Sequence, residues 1–279
     1  MHLAVDVSRI RYISIIRLEG GESILSLPYA TMTVDPDLIA GFVTAVIIFA
    51  KTPIRTIRKA AYDILIEVGK KVLILLVVDP VPDEAPYRKH LRQILSDFET
   101  GYQEALADFD GDVRLFREFC FSVLVHFPYH KIDLELVPLK RRGEQIPYRV
   151  GYVDQKMEEF EDFINGKRSL GEIVNRIALT DGEVMAVASA LAKFKWIHFK
   201  KPLTDNDILI RLECEPMVLE RLKAQYGQPV EDLIRSSDGS QRIQDIMQGL
   251  PYDSSAIWFL INLLVDSGCL GLAGIKSLA

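Results

Sequence analysis

The chain has few cysteines and no excess of positive charge. Only three cysteines, Cys120, Cys214 and Cys269, occur in 279 residues, and none belongs to a Cys-x-x-Cys pair. A disulfide framework or a structural zinc site is therefore not expected, and a reducing compartment is favoured. The net charge of −6 gives no general attraction to nucleic acid or to an anionic membrane.

Long hydrophobic runs are also missing. The longest uncharged run, residues 38–50, is shorter than the roughly 20 apolar residues that cross a bilayer. The first residues lack a basic start followed by an apolar segment, so no signal peptide is expected. We therefore expect a cytoplasmic protein, and a length of 279 residues suits two or three domains.

Motifs of catalysis and of ligand binding are absent from the sequence. It contains neither a Gly-x-x-x-x-Gly-Lys-Ser/Thr phosphate loop nor a Gly-x-Ser-x-Gly nucleophile motif. Asp108, Asp110 and Asp112 imitate the start of a calcium loop, but a phenylalanine stands where that loop needs a bidentate glutamate. His126 and His130 are separated by a proline and have no third ligand nearby. We expect no enzyme, no catalytic residue, no cofactor and no metal.

The clearest structural pattern is a hairpin at residues 62–79. Residues 62–68 alternate between apolar and polar side chains, which is typical of a half-buried strand. Gly69 and Lys70 then favour a tight turn. Residues 72–78 are apolar on both faces, which predicts a central strand in a sheet covered on both sides.

Two strands and an unusually apolar helix come before this hairpin. The strands are expected at residues 12–18 and 23–29, and they should pair with the hairpin in one sheet. The helix starts at Asp35 and Pro36, ends before Pro53, and has an apolar surface wider than one sheet face requires. The residues on its remaining face are small or apolar and carry no charge: Ala40, Gly41, Thr44 and Ile48. Either a partner chain or another element of this protein should cover that face.

The first strand of the hairpin is predicted to lie at a sheet edge that is offered to a partner. Asp63, Leu65 and Glu67 should face away from the better-buried side of this strand. Partner contacts are therefore expected at these three residues as well as on the apolar helix.

Two further helices complete a pattern that resembles a known superfamily. They are predicted at residues 86–106 and 113–127, with Asp112 as the cap of the second. The order of two strands, a helix, two strands and two helices resembles the longin/roadblock superfamily, especially its stand-alone archaeal and bacterial versions. In that superfamily, a five-stranded antiparallel sheet carries one helix on one face and two on the other. The resemblance covers residues 8–128 and rests on this plan, on ILIEVGKKVLILLVVD and on FETGYQEALADFDGDVRLF.

An extended linker is predicted at residues 131–152, which are rich in proline and glycine. Ile132, Leu134 and Leu136 alternate with charged residues, so part of the linker is expected either to add a strand or to lie along a neighbouring domain. The basic triplet at residues 140–142 is interpreted as a solvated charge run. Membrane contact is accordingly expected to be at most peripheral and mediated by a partner.

The second half of the chain contains a duplicated unit. Residues 166–199 and 239–272 align without a gap. The matched apolar positions are Leu170 with Ile243, Ile173 with Ile246, Val174 with Met247, Ile177 with Leu250, Val184 with Ile257, Leu191 with Leu264 and Ile197 with Leu270. Each copy is expected to have a helix, a capped turn at Thr180 or Asp253, a longer helix and a strand. Residues 196–200 and 208–213 bracket a short loop as a wing does, so residues 153–279 resemble tandem winged-helix domains.

Winged helices often bind DNA, but the reading helices expected here lack the residues for it. The first, residues 181–194, has no cation before Lys193, and the second, residues 254–265, has none. A basic cluster beside the first predicted wing has the charge to contact phosphate: Lys193, Lys195, Lys200 and Lys201. Protein interaction fits better than nucleic-acid binding.

The expected fold class is therefore α+β with three domains. A longin/roadblock-like antiparallel sheet with three helices occupies residues 1–130, followed by the linker and by mostly helical winged-helix domains at residues 153–214 and 215–279. The resemblance implies a non-enzymatic cytoplasmic adaptor or regulator that binds a Ras-like small GTPase, as a homodimer or in a larger complex. The same plan resembles the eukaryotic nitrogen-permease-regulator-like proteins. The alternative is a DNA-binding transcription regulator with an N-terminal dimerisation or sensor domain.

Overall fold

The computed structural model describes residues 5–30, 36–50, 54–141 and 152–273. The chain consists of helices and antiparallel strands and divides into two compact units, Met1–Lys200 and Lys201–Ala279. The predicted combination of helices with an antiparallel sheet is confirmed. The predicted three-domain division is finer than these two units. No helix in the described ranges is long and apolar enough to cross a membrane.

The N-terminal unit begins with a five-stranded antiparallel sheet whose strand order is β2-β1-β5-β4-β3. Its strands are β1 (Ile10–Arg17), β2 (Ser23–Pro28), β3 (Thr56–Arg58), β4 (Asp63–Val68) and β5 (Val72–Val78). β1 pairs with both β2 and β5, so the two predicted hairpins do form one sheet. The β4–β5 turn is closed by a hydrogen bond of 2.8 Å from the Gly69 backbone N–H to the Val72 carbonyl oxygen.

The central strand β5 is buried on both faces, as predicted. Every residue from Val72 to Val78 is buried. Leu73, Leu75 and Val77 pack in one cluster with residues of α1 (Pro36–Ala50). The alternate residues, such as Ile74, pack in a second cluster with α2 (Ala85–Gly101) and α4 (Phe119–His126).

The helices that follow the sheet are shorter than predicted. The helix expected at residues 86–106 is interrupted at Tyr102, which separates α2 from the short α3 (Gln103–Ala107). The helix expected from residue 113 starts only at Phe119. A 3-10 turn precedes it, capped by a 2.9 Å hydrogen bond from the Arg114 backbone N–H to Asp112 Oδ1. Asp112 therefore has its predicted capping role, although on a 3-10 turn.

The predicted edge position of the strand at residues 62–68 is wrong. β4 lies between β5 and β3, and both of its backbone edges are paired. The free edges of the sheet are β2 and the short β3. The alternation of residues along a strand shows which of its two faces is buried. It carries no information on whether another strand pairs with each backbone edge, so it could not show that β3 pairs with β4.

The N-terminal unit continues through the region that was expected to be linker. Its remaining elements are β6 (Val137–Lys140), α5 (Tyr152–Phe163), α6 (Leu170–Val174), α7 (Asp181–Lys193) and β7 (Ile197–Lys200). Part of the predicted linker does add a strand, since β6 pairs with β7. Residues 132–136 are not in this strand, and their end lies along the start of α6, where the backbone N–H groups of Leu170 and Gly171 donate to the carbonyl oxygens of Leu136 and Leu134, each at 2.8 Å. α4 and α7 pack against each other, so both belong to one hydrophobic core.

The C-terminal unit has a three-stranded antiparallel sheet of order β10-β8-β9. Its elements are β8 (Ile208–Arg211), α8 (Pro216–Tyr226), α9 (Gln228–Ser236), β9 (Asp238–Arg242), α10 (Ile243–Gly249), α11 (Ser254–Asp266) and β10 (Leu270–Leu272). The wing predicted from β7 and β8 is wrong, since β7 pairs with β6 and β8 pairs with β9 and β10. The structure therefore extends each copy of the duplicated unit toward the N-terminus, to a strand, β6 or β8, that pairs with the strand at the end of the copy.

The burial pattern repeats between the two copies. Five of the seven matched apolar pairs are buried in both copies. The other two, Val174 with Met247 and Ile177 with Leu250, are half-buried in both. α7 is capped by Thr180, which forms a capping box with Glu183, and α11 is capped by Asp253. The equivalent helices have the same length because their caps and apolar positions share one spacing.

Arg88 on α2 joins this helix to β3 and β4. Its guanidinium donates to Glu67 Oε1 at 2.9 Å, to Glu84 Oε2 at 2.8 Å and to Thr56 Oγ1 at 2.6 Å. Burial by itself would raise the pKa of Glu84, but hydrogen bonds from Arg88, Arg58 and Thr56 lower it below its ordinary value. The side chain of Arg88 is only 12% exposed, and it is the closest cation to both carboxylates, since Arg58 lies 3.2 Å from Glu84 and Arg92 lies 3.9 Å from Glu67.

We expect Arg88→Met to lower the free energy of unfolding by about 3 kcal/mol, because it removes the closest and least exposed cation from two partly buried carboxylates. Arg58→Met is the matched control. Arg58 pairs with the same Glu84 at 3.2 Å, but its side chain is 77% exposed, so its loss should cost less than about 1 kcal/mol. Urea denaturation followed by circular dichroism measures both values. Equal losses would contradict a special role for Arg88.

Candidate functional site

The outer surface of α1 is the most apolar exposed surface on the N-terminal sheet. Ile39 and Val43 are buried against the sheet. Leu38 is 68% exposed and Phe42 is 51% exposed, and Gly41 between them is exposed too. These three residues are called the α1 face below. Burying a Leu or Phe side chain away from water is favourable by about 1.5–3 kcal/mol of free energy. Contact of the α1 face with another surface is therefore favoured.

The width of the sheet explains why apolar surface is left around α1. Five strands spaced about 4.8 Å apart make a sheet roughly 20 Å wide, whereas one helix is about 10 Å wide. Leu18, Ile57 and Tyr62 pack at the margins of the α1 cluster and are only partly buried. Among the residues that the structure describes, α1 and these margins form one incompletely covered apolar surface. A cation lies at its rim, since Lys59 Nζ is 5.7 Å from the centre of the Phe42 ring.

The residues predicted on the helix lie on different sides of it. Gly41 is exposed, but Thr44 is buried on the side facing the sheet. A Cβ atom on Gly21 would lie 3.1 Å from Thr44 Cγ2, which shows how closely the helix approaches the β1–β2 turn. The side chains of Ala40 and Ile48 lie outside the described residues. Whether these positions touch a partner stays a prediction.

Sequence reasoning missed Leu38 and Phe42 because both sides of α1 are apolar. Both residues were counted with the half of the helix that covers the sheet. No charged side chain in residues 38–50 marks the side of α1 that faces solvent, so a helical wheel does not show which apolar side is exposed. The only available signal was that the apolar surface is wider than a single sheet face requires.

The three residues predicted on β4 contact this chain's own elements. Leu65 is fully buried in the cluster that contains α2. Asp63 is buried as well. Glu67 pairs with Arg88 at 2.9 Å. These side chains lie on the side of β4 covered by α2, so the expected partner surface there is occupied within the N-terminal unit.

The helix that would read DNA in the first repeat is enclosed. Residues 186–191 of α7 are all buried, so no side of that stretch faces solvent. A Cβ atom on Gly182 would lie 2.9 Å from Val125 Cγ1, because the start of α7 packs against α4. Lys193 Nζ donates to the Tyr29 carbonyl oxygen at 2.9 Å. The basic cluster predicted here therefore includes a lysine that is already engaged inside the unit.

Two histidines face each other between α2 and α4. The Nδ1 atoms of His90 and His126 are 3.0 Å apart, so one ring donates and the other accepts a hydrogen bond. Burial lowers the pKa of His126 below its ordinary value, and this effect exceeds the opposite influence of Asp97. Within the described residues, no group of three or more His, Cys, Asp or Glu side chains is arranged to hold a metal ion.

Two cysteines that are distant in the sequence meet in the C-terminal unit. The Leu212 backbone N–H donates to the Cys269 carbonyl oxygen at 3.0 Å, and Cys214 lies two residues beyond Leu212. Cys214 and Cys269 both line a cavity of about 550 Å³. Burial, and then the hydrogen bond with Cys214, raises the pKa of Cys269 to about 12. Strand pairing brings the two thiols together, and spacing alone could not predict this.

Because of the histidine pair, we expect the folded protein to be less stable in weak acid. The pKa of His126 is lowered in the folded state, so its contribution is fully present above the ordinary value of 6.5. That contribution is lost as the pH falls from there through the lowered folded pKa. We expect the free energy of unfolding to decrease between about pH 7.5 and about pH 5.

His126→Leu should make this pH dependence shallower in urea denaturation at each pH. Some slope should persist, because burial and then the charge of Lys193 also lower the pKa of His130. His198→Gln, at an exposed position, serves as the control and should leave the slope unchanged. An identical slope in wild type and His126→Leu would contradict the prediction.

The cysteines should differ in reactivity. Burial raises the pKa of Cys120 as well as that of Cys269, and it disfavours the thiolate in both. Cys214 is only partly buried beside the cavity. We expect iodoacetamide at about pH 8 to label Cys214 first. Mass spectrometry of the digested native protein measures the order, and faster labelling of Cys120 or Cys269 would contradict it.

No family model matches the sequence, and no curated protein is significantly similar to it. The function must therefore be argued from the surfaces described above.

Proposed function

We propose that this chain is a non-enzymatic cytoplasmic adaptor or regulator that binds a protein partner through the α1 face. The observation that carries the proposal is the exposure of Leu38 and Phe42 on a helix that covers its sheet incompletely. A contiguous apolar surface of this kind typically marks a protein interface. Large aromatic and aliphatic side chains there are suited to be the central anchors of such an interface.

The class of partner proposed is a Ras-like small GTPase, with homodimerisation as a second use of the same domain. This step rests on the resemblance of residues 8–128 to the longin/roadblock superfamily. The strand order, with one helix on one face and two on the other, is consistent with that resemblance. The winged-helix resemblance of the C-terminal half is kept as part of the proposal, with a role in protein interaction.

We place the DNA-binding alternative second. A reading helix needs an exposed surface near its N-terminus with side chains that reach base edges. α7 is enclosed at that end by α4, and α11 carries no cation along its length. Phosphate contacts would make binding to random duplex fall steeply with salt, so a gel shift at low salt tests this alternative directly.

The double variant Leu38→Asp with Phe42→Asp tests the proposed interface. We expect it to weaken partner binding at least about tenfold, because two charges would be desolvated at the centre of an apolar contact. Binding to small GTPases in their GDP and GTP states is measured by biolayer interferometry. Oligomeric state is measured by light scattering after size-exclusion chromatography.

Leu115→Asp is the matched control for this experiment. Leu115 is 56% exposed on the 3-10 turn before α4, on the other side of the sheet. It should leave both binding and oligomeric state unchanged, and circular dichroism should show all variants folded. The proposal fails if the double variant changes neither GTPase binding nor oligomeric state.

A further inference from the structure

A groove lies where the β4–β5 turn approaches α2 and α3. It encloses a cavity of about 570 Å³, within the range of about 300–1,000 Å³ usual for small-molecule sites. It lies on the side of the sheet covered by α2, whereas the α1 face belongs to the opposite side. The groove is therefore separate from the surface proposed for protein binding.

Glu99 fixes the turn against α2. Its Oε1 atom accepts hydrogen bonds from the backbone N–H groups of Lys71 at 2.7 Å and Val72 at 3.2 Å. A Cβ atom on Gly69 would lie only 2.5 Å from the same oxygen, so a larger residue there would displace the Glu99 side chain. These contacts hold the backbone that carries Lys70 and Lys71 at the rim of the groove.

The groove is positively charged although the chain as a whole is negative. Its lining contains Lys70, Lys71 and Arg92, against the single carboxylate of Glu99, while the net charge of the chain is −6. The Glu99 carboxylate is already engaged by two backbone donors. Neither lysine has an ion pair among the described residues, and the nearest carboxylate oxygen to Arg92 is that of Glu67 at 3.9 Å.

Hydrogen-bond donors follow the same side of α2. Arg92, Ser96 and Thr100 are spaced four residues apart, so they lie above one another along the helix surface. Gln103 at the start of α3 continues this line, and all four residues line the groove. Guanidinium, ammonium, hydroxyl and amide donors together suit the oxygens of a phosphate group. Leu95 and Leu106 supply a buried apolar floor for the remainder of a ligand.

We propose that this groove binds a phosphorylated small molecule. Lys70, Lys71 and Arg92 would neutralise the phosphate, and the side chains along α2 would orient it. A lipid headgroup presents the same phosphate chemistry. The size of the groove and its apolar floor favour a free small molecule, and the experiment separates these two sources.

Isothermal titration calorimetry of the full chain with pyrophosphate tests the proposal. We expect saturable binding at one site that weakens as the salt concentration rises. Lys70→Glu combined with Lys71→Glu should abolish it. Arg92→Gln should weaken it roughly tenfold through loss of a charge-assisted hydrogen bond. These positions are exposed, and thermal unfolding verifies that each variant is folded.

The control combines Lys131→Glu with Lys167→Glu, which makes the same charge change at exposed positions outside the groove. It should bind pyrophosphate as wild type does, and so should the double variant of the α1 face. The proposal is overturned if wild type does not bind pyrophosphate, or if the groove variant binds as well as the control. Binding to vesicles that contain a phosphoinositide, without binding to pyrophosphate, would also overturn it.

Discussion

The burial of β5 on both faces is the constraint on which the N-terminal unit depends. A strand made only of branched apolar side chains is stable only when it has a neighbour on each edge and a covering layer on each face. β1 and β4 supply the edges. α1 supplies one layer, and α2 with α4 supplies the other. Burial of each side chain of this size stabilises the fold by about 1.5–3 kcal/mol. The burial of β5 therefore supplies much of the free energy that orders the five elements around it.

The two faces of this sheet are covered unequally, and the proposed interaction surface follows from that difference. On the side of α2 and α4, the core continues through α7. On the other side, a single helix lies across a sheet about twice its width. The apolar side chains of Leu38 and Phe42 then have no covering layer among the described residues. A partner surface would provide on this side the burial that helices of the same chain provide on the other.

Duplication explains the order of elements in the second half, but the equivalent helices α7 and α11 differ in how much of their surface is buried. Both have a strand at each end and a capped helix of equal length, α7 or α11. The middle of α7 consists of small side chains and is buried all round against its neighbours. α11 carries larger side chains and keeps Phe259 exposed. The same framework therefore gives an internal core helix in one copy and an amphipathic surface helix in the other.

The sequence by itself determined the features that arise within one segment. These are the two-sided burial of β5, the extent of α1, the caps at Thr180 and Asp253, and the matched buried positions of the repeat. Tertiary structure alone decided the partners of β3, β6 and β8, which side of α1 faces out, and that Cys214 meets Cys269. It also brought the β4–β5 turn beside α2 to form the groove. The physical reason is that periodicity and capping report the local burial of a segment, whereas they carry no information about which distant segment covers it.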